Sequence, residues 1–416
     1  MDKTNSFTSN FKARDVWRLA AKLALFMPLL LAVAAVNICI DPGGIYKGYV
    51  NKYQRYEYQV SREMARGKNI RALHPIDDRL LQKYFIENFS SPPDVVVLGS
   101  SRSYWLGENI FPGKKVINNS LSGVELMDYL GIFDIYARKN LYPKRVVMLL
   151  DPQLIGSPIL YDQWGSIKEE AYGMLDLLGI YSGRIQQPLI PPAWLNVFSF
   201  SYFQRAVGQW GHRSPRQANL MDENIPDEQV LFKDGRRWMP WQLHSWGVEK
   251  AAIKELLGKS PQEPLFADLD KALGEAGTLR SPNSSKTIRG INHGTVMKIM
   301  HYQMRSDKRL EDTLETFIRY LMKRNIQVTL CLLPYHPELY NGFVEINKSP
   351  GALDIIGVEH YYRDMARRLG LTMVGSYDPA ACGLDGKDFY DGDHLRDDIL
   401  EETLKSKGSV CSMPGL

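Results

Sequence analysis

The stretch VVVLGSSRSYW (residues 95–105) runs four apolar residues directly into Gly-Ser-Ser-Arg. Three consecutive valines read as a buried strand. A polar turn after a core strand would explain the abrupt change. So would a nucleophile set at the strand's C-terminal edge. Other segments repeat the pattern. Residues 145–150 (RVVMLL) close on Asp151-Pro152, and residues 326–333 (IQVTLCLL) close on Pro334-Tyr335-His336. Residues 115–117 and 371–374 are shorter strand candidates. Between them lie helical patterns over 126–140, 307–324 and 359–369. The second carries Leu310, Leu314, Phe317, Ile318 and Leu321 near helical spacing. Gly370 suits a C-cap after the third. Strands alternating with helices predict an α/β fold, three-layered, with a mainly parallel sheet. Ligands of such sheets gather at the carboxyl ends of the strands, and here all three long strands end in polar residues.

The chain has 416 residues with ordinary apolar and charged content, enough for a large core. Its net charge of +4 is mostly local: Lys3, Lys12, Arg14, Arg18 and Lys22 outnumber Asp2 and Asp15 at the N-terminus. The remainder is nearly neutral and carries no basic stripe of the kind that nucleic acid requires. Residues 23–40 (LALFMPLLLAVAAVNICI) are uncharged with one polar side chain, Asn37. This is close to the length of a transmembrane helix, with basic residues on its N-terminal side. The expectation is an anchor over 23–40, a cytoplasmic tail over 1–22, and the remaining chain outside the cytoplasm. A signal peptide has a shorter apolar core and a small-residue cleavage site, which Asn37-Ile38-Cys39-Ile40 does not offer. A buried core helix is the third reading.

Residues 41–90 read as a connector, 91–400 as the main domain and 401–416 as a tail. Within the main domain, residues 157–285 read as a helix-and-loop insertion covering one edge of the core. Its Trp164, Trp194, Trp210, Trp238 and Trp241 offer platforms for sugar rings, but tryptophans more often fill cores. Of the four cysteines, Cys39 and Cys331 lie in apolar runs. Whether Cys382 and Cys411 pair is open, and no CxxC spacing points to zinc.

An acyl-transfer site needs a nucleophile, a base and a group that orients the base. In DFYDGDHLRDD (residues 388–398), Asp391 stands three residues before His394. A short Asp-x-x-His turn can set a carboxylate beside the imidazole. Asp393 is read as a neighbour whose side chain diverges. A surface histidine in an acidic loop is the plain alternative. A metal site built on Asp391, Asp393 and His394 lacks a second histidine at ligand spacing.

The ordered set of GSS, NxSxxG over Asn118–Gly123, a strand ending in Asp, and a C-terminal DxxH resembles the SGNH (GDSL-like) hydrolase superfamily. The likeness is to membrane-anchored bacterial members related to polysaccharide and cell-wall O-acylation proteins. It covers residues 91–156 and 307–400 and implies the following roles. Ser101 matches the nucleophile, His394 the base and Asp391 its partner. The amides of Ser101 and Gly123 match the oxyanion hole. The family's third block brings an Asn; here the segment ends Leu-Leu-Asp-Pro, and Gly-Asp-Ser is replaced by Gly-Ser-Ser. Arg102 either pairs with Asp151 or holds an anionic substrate group. His336 either reaches the cleft or is a loop residue.

The expected function is an extracytoplasmic serine esterase or O-acyltransferase on acetyl or other acyl esters of an exported polysaccharide. It needs no metal or organic cofactor. Its partners would be the polysaccharide, the inner membrane and a membrane acyltransferase or export complex. A degenerate, non-catalytic glycan-binding or assembly partner is the competing reading. A metal-dependent phosphate-ester enzyme is the third, short of ligands.

Overall fold

A computed structural model describes residues 13–40, 56–72, 76–156, 163–180, 197–199, 203–204, 207, 229–239, 307–346, 355–406, 411 and 413. Two compact units divide the chain. The first comprises Met1–Arg55 and Leu189–Gln217, the second the rest.

In the first unit, helix α1 spans Ala13–Ile40 and contains Pro28. Side chains are described only from residue 27. Met27, Leu29, Leu30, Leu31 and Ile38 are exposed, whereas Asn37 is fully buried. Its Nδ2 donates to the carbonyls of Val197 (2.9 Å) and Ser199 (3.1 Å). Among the described residues no helix is long and apolar enough to cross a membrane. The anchor expected over 23–40 falls inside α1.

The second unit is α/β. Its sheet contains β2 (Val95–Leu98), β3 (Val116–Asn118), β4 (Arg145–Leu149), β7 (Gln327–Leu332) and β8 (Thr372–Gly375). Their order is β3-β2-β4-β7-β8 and every pair is parallel. Each strand agrees with the sequence expectation to within a residue or two. The helices are α4 (Leu126–Arg138), α6 (Lys308–Lys323), α7 (Pro337–Ile346) and α8 (Ile355–Leu369). Leu314, Phe317 and Leu321 of α6 join Phe133 and Tyr136 of α4 in one core with Val96, Val146 and Leu330. On the opposite face Val95, Val97, Val147 and Cys331 pack with Leu400 and Leu404 of α9 (Asp397–Lys405). Helix-backed apolar clusters on both faces explain why these strands read as continuous apolar runs. The strand order reverses between β2 and β4, so the crevice at their carboxyl ends is the topological switch point.

Three boundaries differ from expectation. The connector contributes α2 (Tyr56–Ala65), β1 (Ile70–Ala72) and α3 (Asp78–Glu87). β1 pairs antiparallel with β5 (Gln229–Leu231), which pairs with β6 (Arg237–Trp238), so connector and insertion together make a second small sheet. α5 (Lys168–Leu177), assigned to the insertion, is part of the main core through Ala171, Met174 and Leu175, with Trp164 buried beside it. Trp238 is also buried. Trp194, Trp210 and Trp241 lie outside the described residues. α9 crosses the expected start of the tail, and Cys411 and Met413 are buried beyond it. These segments lack the long apolar runs that betray central strands, so their packing partners were not visible in the sequence.

Cys382 and Cys411 form a disulfide across 29 positions. The enclosed loop contains Asp391 and His394. By chain entropy, closing it stabilises the fold by about 3.5 kcal/mol. Reduction, or Cys382→Ala together with Cys411→Ala, is expected to lower the unfolding free energy by about that amount. Urea titration with and without reductant checks it.

Candidate active site

The turn after β2 decides the meaning of Gly-Ser-Ser-Arg. Ser100 bridges to Leu121 and extends the β2–β3 pairing by one step. Ser101–Ser103 then form a single 3-10 turn. Gly99 is required by close approach: a Cβ there would stand 1.9 Å from Ser103 Oγ. Ser103 Oγ donates to the Ser100 carbonyl (2.9 Å) and lies 2.8 Å from Ser120 Oγ. Buried Asn118 donates through Nδ2 to the carbonyls of Ser103 and Leu106, both at 2.7 Å. Its Oδ1 accepts from the Ser120 amide at 2.8 Å. The first and second sequence blocks are thus bolted together, and Ser100 and Ser103 are structural hydroxyls. Ser101 alone of the three points to the crevice.

There Ser101 Oγ lies 2.8 Å from His394 Nε2, across 293 positions of sequence. His394 Nδ1 lies 2.8 Å from each oxygen of Asp391. Asp391 Oδ1 also accepts the amides of Asp393 (3.0 Å) and His394 (2.9 Å), which fixes the turn. The bridge between Phe389 and Leu395 closes the loop at its base. Asp393 does not diverge as the sequence reading held: its Oδ1 is 3.1 Å from Nδ1. Burial works against a charged ring, but the carboxylates of Asp391 and Asp393 outweigh it and raise the imidazole to about 9.

Arg102 resolves to its structural alternative. Its Nη1 pairs with Asp151 Oδ1 at 2.8 Å, and its Nε donates to the Asp393 carbonyl at 3.1 Å. Nη2 donates to Leu333 O and, at 2.8 Å, to Pro334 O. The guanidinium lies 3.8 Å over the Tyr335 ring. Asp151 is thereby committed to Arg102 and supplies no hydrogen-bond donor to the crevice. His336 is buried against the base loop: its amide donates to Gly392 O (2.9 Å) and its ring meets Phe389 edge-on at 5.6 Å. Its Nδ1 accepts from the Glu338 amide at 3.1 Å.

Gly123 sits two residues beyond the Ser100–Leu121 bridge with φ +55°, a left-handed conformation that suits glycine. The loop carrying it is held by residues the sequence reading missed. Asp78, at the start of α3, accepts the Ser122 amide (3.0 Å) and hydroxyl (2.6 Å). Arg237, from β6, pairs with the same carboxylate. Burial would raise the Asp78 carboxyl, yet Arg237 and the Ser122 bonds hold it down at about 2. No local motif marks Asp78 or Arg237; the start of α3 places the first and the small sheet the second.

One group among the described residues, Asp391, Asp393 and His394, has ligand-type atoms within 4.8 Å of one another. Its arrangement is that of a hydrogen-bonded imidazole: Nδ1 faces carboxylate oxygens and Nε2 faces a serine hydroxyl. The donor set therefore fits proton transfer better than metal coordination. No protein-family model matches the chain, and comparison with curated proteins finds no match.

Proposed function

We propose that the chain is an SGNH-type serine esterase or O-acyltransferase, anchored in the inner membrane with its α/β unit outside the cytoplasm. Its substrates would be acyl esters, chiefly acetyl, of an exported or cell-surface polysaccharide. The observation that carries this reading is the Ser101–His394–Asp391 chain, assembled at a switch point from residues almost 300 positions apart. Ser101 Oγ attacks the acyl carbon while its proton passes to neutral His394 Nε2. The amides of Ser101 and Gly123 receive the developing oxyanion. His394 then returns the proton to the departing alkoxide, leaving an acyl-serine. Water gives hydrolysis; a sugar hydroxyl gives transfer. Asp391 orients the ring and stabilises the imidazolium.

The compartment rests on separate support. The Cys382–Cys411 disulfide suits an oxidising environment. The basic N-terminal flank suits a cytoplasmic side. α1 exposes leucines while burying its one polar apolar-run residue, Asn37, which suits lipid. The polysaccharide and a membrane acyltransferase partner follow from the resemblance. The competing non-catalytic role is favoured by two features, the absence of a third oxyanion donor at Asp151 and the replacement of Gly-Asp-Ser by Gly-Ser-Ser.

Fluorophosphonate labelling of the full chain in membranes tests the reading. At alkaline pH, where His394 is neutral, wild type and Ser100→Ala are expected to label, and Ser101→Ala is not. A folded wild type that takes no label would move the assignment to the assembly role.

A further inference from the structure

His394 Nδ1 carries one N–H and faces three carboxylate oxygens, two from Asp391 and one from Asp393. A serine triad needs one carboxylate. Asp391 completes that task alone, since its turn is already fixed by two backbone amides. Asp393 is held at the ring by a different device: Arg102 Nε grips its carbonyl. Its carboxylate is almost buried beside the ring. We propose that Asp393 is a second, tuning carboxylate, which keeps His394 doubly protonated in the resting site and so holds Ser101 latent at neutral pH. This rests on the proposed catalytic role of Ser101 and His394.

The charge balance around the ring supports it. Asp391 and Asp393 face it from its own loop. Ser101 and the Arg102 guanidinium lie on the nucleophile turn. Asp397 approaches from the first turn of α9, itself pushed up to about 7 by burial and by Asp398. His336 touches the loop through its backbone bond to Gly392. Two carboxylates in contact with one ring favour the imidazolium over the neutral base. With the ring titrating near 9, about 1% is neutral at pH 7. A protonated Nε2 donates to Ser101 Oγ and cannot accept its proton. Activity should therefore climb through the alkaline range, or rise when Asp393 is turned away from the ring.

The test follows His394 itself by NMR in isotopically labelled full-chain protein, with His394→Gln to assign the ring. Wild type is expected to titrate near 9 and Asp393→Asn at least one unit lower. Each unit raises the neutral fraction at pH 7 about tenfold, and kcat/KM for an aryl acetate should rise with it. A wild-type midpoint near the ordinary value for histidine, or one unmoved by Asp393→Asn, overturns the inference. A shifted midpoint without turnover in either protein upholds the tuning role and removes the esterase reading instead.

Discussion

Asp391→Asn is expected to lower kcat for ester cleavage by about three to four orders of magnitude while leaving the fold intact. The amide keeps the volume of the carboxylate and one oxygen to accept the backbone N–H groups of Asp393 and His394. It loses the charge and can turn an NH2 toward the imidazole. Nδ1 then accepts rather than donates, the proton moves to Nε2, and no lone pair remains to take the Ser101 proton. Among the described residues Asp393 is the one rival for the role, because its oxygen is 3.1 Å from Nδ1 against 2.8 Å for Asp391. A fall in kcat of less than tenfold would make Asp393 the orienting group. Stability supplies a second reading of the same contact. The ring's proton affinity is higher folded than unfolded. The imidazolium pair therefore stabilises fully below about pH 6.5, and that gain is lost as pH rises through 9. Urea unfolding between pH 6 and 9.5 should show this loss in wild type and a smaller one in Asp391→Asn.

The strands and helices of the main sheet were legible because parallel strands buried on both faces must be continuously apolar. VVVL, RVVML and QVTLCL have no other plausible reading. The Asp-x-x-His turn was legible because its geometry is local. Three things were not. The insertion hairpin is short, and Arg237 joins the site only by docking beside Tyr104, whose carbonyl accepts the Arg237 amide at 3.0 Å. Asp78 lies in what read as a connector, and its partner Ser122 is 44 positions away. Asp393 was dismissed on the rule that adjacent side chains diverge. That rule holds for strands and helices but fails in a loop whose carbonyl is drawn aside by a buried arginine.

That arginine carries the other large effect. Arg102→Ala is expected to destabilise the second unit by about 3–5 kcal/mol, because it leaves Asp151 charged, buried and unpaired. Asp151 and the Arg102 side chain are only 1% and 4% exposed, so water offers little compensation. Three carbonyl groups, from Leu333, Pro334 and Asp393, lose their donor at the same time. Arg102→Lys can keep one charge contact but cannot fork among strand ends and loop. It should fall between wild type and Ala in urea unfolding. Replacing both partners, as Arg102→Met with Asp151→Leu, removes the unpaired charge and should recover most of the stability. It should not recover kcat, because the base loop is no longer tied to the nucleophile turn. If instead Arg102→Ala cost less than about 1 kcal/mol, the guanidinium would be exchanging its partners freely with solvent. It would then be available to an anionic substrate group, the alternative that its buried contacts argue against. The split between recovered folding and unrecovered catalysis therefore separates a residue that merely fills the crevice from one that aligns Ser101 with His394.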